Sequence, residues 1–265
     1  MHGAGNDFIL VDDRDTRFPA SDGDWIAAIA RRKTGVGCDG IILLQPSDSC
    51  HVRMRFINPD GQEVDMCGNG ARCLARLAVE LGAAPAQMTI ETAAGPVRAD
   101  VRAADVQVAL PDPHDWQLDH QLDIEDQQLT YSSINTTVPH VVIRVPDLTA
   151  CRVEDFGRHV RWHEAFAPDG ANVNFIAPLG DGALAVRTYE RGVEAETLAC
   201  GTGCAAVACL GVLHGLVDPP VRVRTRGGAV LTVGLELEAD RIRNLTLAGP
   251  AAHVYRGTLS YGGAA

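Results

Sequence analysis

The chain is written twice, and that constrains its fold more than any single motif does. Cys67-Gly68-Asn69-Gly70-Ala71-Arg72-Cys73 opens an apolar run that continues to Gly82, and Cys200-Gly201-Thr202-Gly203-Cys204 opens a similar run that continues to Gly215. The offset, from 67 to 200, is 133 residues, about half of a chain of 265. It also pairs Glu63 with Glu196, Ala75 with Ala208, Leu77 with Leu210, Val79 with Val212 and Gly82 with Gly215. Beyond the run it pairs Thr92 with Thr225, Gly95 with Gly228 and Val97 with Val230. One such match is chance; a series at one offset, through helical and extended context alike, means two homologous halves.

Each half has the same grammar. Strand patterns occur at Phe8 to Val11, Gly40 to Leu44, Val52 to Phe56 and Val97 to Val101. In the second half they occur at Val141 to Val145, Val173 to Ile176, Ala185 to Tyr189 and Val221 to Arg224. Good helix formers follow each Cys-Gly turn, and Gly82 and Gly215 stop them. A further helix is expected from Trp25 to Lys33, and Pro111-Asp112-Pro113-His114-Asp115 marks a crossover. The expectation is an α+β fold of two pseudo-symmetric domains. Each is a mostly antiparallel, barrel-like sheet wrapped round a central helix, with the active site between them. Residues 1–113 plus 250–265 form the half with the Cys67 turn, and residues 114–249 the half with the Cys200 turn.

Composition removes several functions. A net charge of −11 without a basic run argues against a nucleic-acid partner. No apolar run is long enough to cross a bilayer, and the N-terminus lacks a basic segment followed by an apolar one, so the expected location is the cytoplasm. Eight cysteines include no Cys-x-x-Cys, a poor pattern for zinc or a dithiol oxidoreductase. Lys33 is the only lysine and sits in Arg31-Arg32-Lys33-Thr34-Gly35, a solvated helix end, which speaks against a pyridoxal phosphate Schiff base. No cofactor and no metal are expected.

The paired turns carry the chemistry. A helix N-terminus offers unpaired N–H groups and a partial positive charge, and adjacent glycines let an anion approach the backbone. A cysteine there should have a lowered pKa. Two such turns about an approximate two-fold place two thiols and two N–H nests round one ligand. One thiolate removes an α-proton, a thiol on the other face returns one, and the nests hold the carboxylate. The plainer reading is that cysteines are small core fillers. That reading is favoured for Cys73, Cys204 and Cys209 in apolar runs, and for Cys38, Cys50 and Cys151, which lack a motif. Cys67 and Cys200 differ because both precede Gly-x-Gly at equivalent positions. A redox pair remains an alternative for them.

The motifs in order resemble those of diaminopimelate epimerases over nearly the full length. They are Met1-His2-Gly3-Ala4-Gly5-Asn6-Asp7-Phe8, Phe56-Ile57-Asn58-Pro59-Asp60-Gly61, Glu63 to Cys73, Pro139-His140, Gly170 to Phe175, Tyr189-Glu190-Arg191-Gly192 and Glu196 to Gly203. The resemblance implies interconversion of LL- and meso-diaminopimelate, on the route to lysine and to peptidoglycan precursors. It implies Cys67 as proton donor and Cys200 as acceptor, with His140 and Glu190 counted among the catalytic groups. Gly68, Asn69, Gly201 and Thr202 would hold the reacting carboxylate. Asn6, Asn58, Asn172, Glu190 and Arg191 would bind the rest of the substrate, Arg191 supplying a planar fork for a distal carboxylate. Tyr255 falls at a dimer contact, which implies a homodimer. Two polar positions of the family are absent: Gly40 stands where glutamine is common and Val138 where asparagine is common. Alternatives are a racemase of another amino acid with the same two thiols, or a non-catalytic amino-acid-binding protein.

Overall fold

The computed structural model describes residues 1–124, 127–239 and 241–262. The last three residues assigned above to the first half, 263–265, lie outside the described residues. The first half runs β1 (His2–Gly3), β2 (Asn6–Asp12), α1 (Gly23–Ala30), β3 (Gly40–Gln45), β4 (Val52–Ile57), β5 (Glu63–Val64), α2 (Gly68–Glu80), β6 (Gln87–Thr92), β7 (Gly95–Val101) and β8 (Asp105–Ala109). The second runs β9 (His114–Ile124), β10 (Gln127–Asn135), β11 (Pro139–Arg144), α3 (Val153–Arg161), β12 (Asn172–Pro178), β13 (Leu184–Glu190), β14 (Ala195–Thr197), α4 (Gly201–Leu213), β15 (Val221–Arg224), β16 (Val230–Glu238) and β17 (Arg241–Pro250).

The duplication read from sequence is a duplication of topology. β1–β2 is antiparallel, β2–β3 parallel, β3–β4 antiparallel, β4–β6 parallel, and β6–β7 and β7–β8 antiparallel, with β5 hung on β4. The second half repeats this series as β10–β11, β11–β12, β12–β13, β13–β15, β15–β16 and β16–β17, with β14 hung on β13. Helices α2 and α4 start and stop 133 residues apart, and each is closed by a glycine in the left-handed region, Gly82 (φ 63°) and Gly215 (φ 64°). Matched ion pairs pin the short strands. Arg55 forks Glu63 at 3.1 and 2.8 Å, and Arg187 forks Glu196 at 2.7 Å on both arms. The halves join where equivalent strands meet, β8 against β17, with Val108 opposite Leu247. A two-fold axis joins like to like in this way.

The layers follow from the side-chain period of two. Along β3, Ile42 and Leu44 face a core that holds both α2 and α4, while Ile41 and Leu43 face a separate cluster under α1. All four are fully buried, each worth about 1.5–3 kcal/mol of transfer free energy. β12 repeats the arrangement, with Ile176 in the central core and Val173 and Phe175 in the cluster under α3. Asn172 and Asn174 share the face of Ile176, so two buried amides line the inner side of that strand.

One helix differs from the sequence expectation. α1 spans Gly23–Ala30, not Trp25 to Lys33, because Asp22 caps it by accepting from the Trp25 N–H at 3.0 Å. It ends where Arg31 becomes extended, and the segment after it folds back so that Gly37 and Cys38 N–H groups take the Ile29 and Ala30 carbonyls. Gly35 is required there, since a Cβ would lie 2.2 Å from the Ala28 carbonyl oxygen. After β17 the chain returns to the first half through a bridge between Ala252 and His2.

Candidate active site

Cys67 and Cys200 are the N-cap residues of α2 and α4, both in extended conformation. Their side chains therefore sit where the helices present unpaired N–H groups. The two N-termini converge over Leu247. A Cβ on Gly201 would lie 3.1 Å from Leu247 Cδ2 and 3.6 Å from Asn69 Oδ1, and one on Gly68 would lie 3.9 Å from the same leucine atom. The duplicated turns thus share one place in the fold. Glu190, at the end of β13, acts electrostatically on both thiols.

The sequence expectation of lowered thiol pKa values is corrected. Burial pushes the Cys67 thiol up and the Cys200 thiol well above the ordinary value, and the Glu190 charge adds to the rise at both. Opposing pulls are local. The N–H groups of Gly70 and Asn69 and the Arg72 charge favour a thiolate at Cys67, and the Thr202 hydroxyl and Gly203 N–H favour one at Cys200. The packing that brings the halves together also shuts water from the sulfur atoms, and that desolvation outweighs the helix termini. Burial likewise raises the Glu190 carboxyl, which accepts from Thr197 Oγ1 at 2.8 Å.

The second half carries a hydrogen-bond relay whose direction is fixed. Asn174 Nδ2 donates to the Val141 carbonyl at 3.0 Å, and its Oδ1 accepts from Thr188 Oγ1 at 3.0 Å, so the amide has one orientation. The same Nδ2 lies 3.1 Å from His140 Nδ1, which is therefore the acceptor. The proton of a neutral imidazole must then sit on Nε2, which donates to Thr202 Oγ1 at 3.0 Å. The Thr202 hydroxyl hydrogen is left to point at Cys200 Sγ, 3.5 Å away. Burial, with the nearby Arg191 charge, lowers His140 to about 3, so it is neutral throughout the physiological range. Gly203 is obligatory beneath this relay, since a Cβ would lie 2.5 Å from Asn174 Oδ1 and 3.3 Å from Cys200 Sγ.

The first half is wired differently. By strand register the counterparts of His140 and Asn174 are Phe8 and Ile42, and at the helix turn the counterpart of Thr202 is Asn69. Arg32 bridges Asp7 and Asp39, its Nη2 lying 2.8 Å from Asp39 Oδ1. Asp39 Oδ2 accepts from Asn6 Nδ2 at 2.6 Å, which turns Asn6 Oδ1 toward Asn69 Nδ2 (3.3 Å) and Cys67 Sγ (3.9 Å). Cys67 thus faces an acceptor, which favours its protonated form. Cys200 faces a donor, which favours the thiolate.

The remaining expected residues fall into two groups. Asn172 is buried and structurally engaged: Nδ2 donates to the Pro139 carbonyl at 3.2 Å and Oδ1 accepts from the Arg191 backbone N–H at 2.9 Å. The Asn58 amide and the Arg191 guanidinium make no hydrogen bond or ion pair among the described residues, although Asn58 backbone groups do close the turn onto Gly61 and Gln62. At Gly40 a Cβ would lie 2.2 Å from the Phe56 ring, which occupies the space a side chain there would need. Tyr255 lies 60 % exposed in the segment after β17. Among the described residues no three His, Cys, Asp or Glu side chains converge as metal ligands, and no helix is long and apolar enough to cross a membrane.

Sequence reasoning missed Asn174, Thr136, Asp39 and Arg72. Thr136 Oγ1 donates to the Thr202 carbonyl at 2.9 Å and so anchors the turn. A polar residue within Val173-Asn174-Phe175, and a charge within the apolar run after Cys67, were the available signals.

The diaminopimelate epimerase family pattern matches residues 1–113 and 132–253. The chain belongs to the diaminopimelate epimerase family. It is 39% identical over 272 residues to the diaminopimelate epimerase of Aquifex aeolicus (strain VF5), covering 98% of this chain and 96% of that one. It is 40% identical over 273 residues to that of Methanothrix thermoacetophila, covering 98% and 94%. Among solved structures, a hydroxyproline epimerase from Agrobacterium vitis aligns with a TM-score of 0.68 at 20% identity, covering 94% of this chain and 87% of that one. A PhzF-family protein of Bacillus anthracis aligns with a TM-score of 0.71 at 18% identity, covering 94% and 92%. The fold of this diaminopimelate epimerase family member is therefore shared with proteins of other names.

Proposed function

We propose that this chain converts LL-2,6-diaminopimelate to meso-diaminopimelate by proton transfer between two cysteines, on the route to lysine and peptidoglycan precursors. The observation that carries the reading is the meeting of two cysteine-capped helix N-termini over Leu247, with a side-chain acceptor, Asn6, at Cys67 and a side-chain donor, Thr202, at Cys200. Cys200, as thiolate, takes the α-proton. The substrate carboxylate, lying on the N–H groups of Gly68, Asn69, Gly201 and Thr202, receives the charge that builds on it. Cys67 delivers its proton to the opposite face, and the roles reverse in the reverse direction. Neutral His140 holds the Thr202 hydroxyl on Cys200. Glu190, with its raised pKa, exchanges a proton with the same cluster and accepts from the substrate ammonium. Every group the scheme uses belongs to the chain; it calls on no cofactor.

Asn6, Asn58, Asn172 and Arg191 complete the substrate shell, with Arg191 on the distal carboxylate. The division into residues 1–113 plus 250–265 and residues 114–249 puts one thiol in each domain. The exposed Tyr255 fits a contact in a cytoplasmic homodimer. The deciding experiment is turnover of LL-diaminopimelate in deuterium oxide. One deuterium should enter the α-position of the product, and Cys67→Ala and Cys200→Ala should each abolish epimerisation in a folded protein. Full activity in either variant, or faster turnover of proline, histidine or glutamate than of diaminopimelate, would refute the assignment.

A further inference from the structure

Arg72 lies one turn into α2 and is fully buried. Its Nη2 donates to Asn69 Oδ1 at 2.8 Å, while Nε and Nη1 find no acceptor among the described residues. A guanidinium cannot shed its proton in a protein, and an uncompensated buried charge costs several kcal/mol. Backbone from both ends of the chain closes over it: a Cβ on Gly3 would lie 3.4 Å from Nη2, and one on Gly249 would lie 3.5 Å from Nε. The ionisable groups facing it are Cys73 and Cys67 from α2, Cys204 from α4 and Asp105 from β8. Asp105 is exposed and screened by water. Cys73 and Cys204 sit in the apolar core, both raised to about 12 by burial, and stay protonated. Two anions remain that could oppose Arg72. One is the Cys67 thiolate, which the negative Glu190 from β13 otherwise disfavours. The other is a carboxylate resting on the turn that Asn69 helps to form.

We propose that Arg72 is the buried counter-charge of the active site, a positioning residue that orients Asn69 and supplies the positive potential against which the Cys67 thiolate and the substrate carboxylate are held. The carboxylate half of this statement rests on the proposed function; the Cys67 half does not. Its energetic signature is unusual, because a charge kept for function is a liability for stability. Replacing it with an apolar chain of similar length should then leave the fold as stable or more so.

The test is Arg72→Met beside Arg72→Lys. Cys67 alkylation by iodoacetamide is followed against pH without substrate, read peptide by peptide in a mass spectrometer with Cys200 as internal reference. In Arg72→Met the thermal midpoint should hold or rise, the Cys67 midpoint should move up by a pH unit or more, and kcat/KM on diaminopimelate at neutral pH should fall tenfold or more. Arg72→Lys should restore part of the Cys67 shift. A lowered thermal midpoint or failure to fold in Arg72→Met assigns Arg72 a structural role and overturns the proposal, as does an unchanged Cys67 profile. If the native protein does not turn over diaminopimelate, the substrate reading fails while the alkylation result still stands.

Discussion

His140 offers the sharpest numerical test, because its charge state and the relay to Cys200 depend on the same burial. Its pKa is near 6.5 in an unfolded chain and about 3 in the fold. Above pH 6.5 both states are neutral and the contribution to stability is complete. As the pH falls below 6.5 the unfolded state takes a proton that the folded state refuses, so stability is lost until the folded value is reached. The slope is about 1.4 kcal/mol per pH unit, which integrates to about 2 kcal/mol between pH 7.5 and pH 5.0. His140→Gln removes this titration while leaving every carboxylate in place, so their effects cancel in the difference. Urea unfolding of both proteins across that range should show the native protein losing about 2 kcal/mol more than the variant on acidification. Parallel curves, or a native protein gaining stability relative to the variant, would mean that His140 is not held neutral, and the tautomer argued for the relay would fall with it.

Two further outcomes follow from the site. Arg191→Ala removes the only guanidinium proposed for the distal carboxylate, and should raise KM for diaminopimelate by about 30-fold or more with a smaller change in kcat; an unchanged KM would leave Arg191 without that role. Gly203→Ala places a methyl 2.5 Å from Asn174 Oδ1 and 3.3 Å from Cys200 Sγ. It should cut kcat on the order of 100-fold with the helical circular dichroism retained, and a native kcat would show that the relay tolerates displacement.

Much of the fold was legible because the chain repeats. The Cys-Gly turns and Gly82 and Gly215 bracket two helices whose start and end points agree with the reading, and the strands of β3, β4, β11 and β12 were apolar enough to declare themselves. The β9–β10 hairpin was not seen. Most of His114–Ile124 faces solvent, so its side chains carry little hydrophobic period. α3 was missed for a different reason. Gly157 sits mid-helix because the Tyr189 side chain packs where a Cβ would lie, at 2.5 Å, and that glycine lowers the helix propensity of a segment whose apolar face, Val153, Phe156 and Val160, is otherwise plain. At the site, the thiols could be found from the repeat, but their environment could not. Burial is a property of the assembled halves, and it reversed the expected direction of both thiol pKa values. Likewise Asn174 reads as one amide among several until the ladder places it beside His140.

The meeting of β8 with its own counterpart β17 has a consequence for how the two sides of the cleft came to differ. A half-chain that closed on a copy of itself would present two identical mouths to a carbon centre, with no means of treating its two sides unlike. Covalent tethering removed that restriction. Positions 8 and 140, 42 and 174, and 69 and 202 then drifted apart, and the asymmetry of the cleft entered through residues that were once the same.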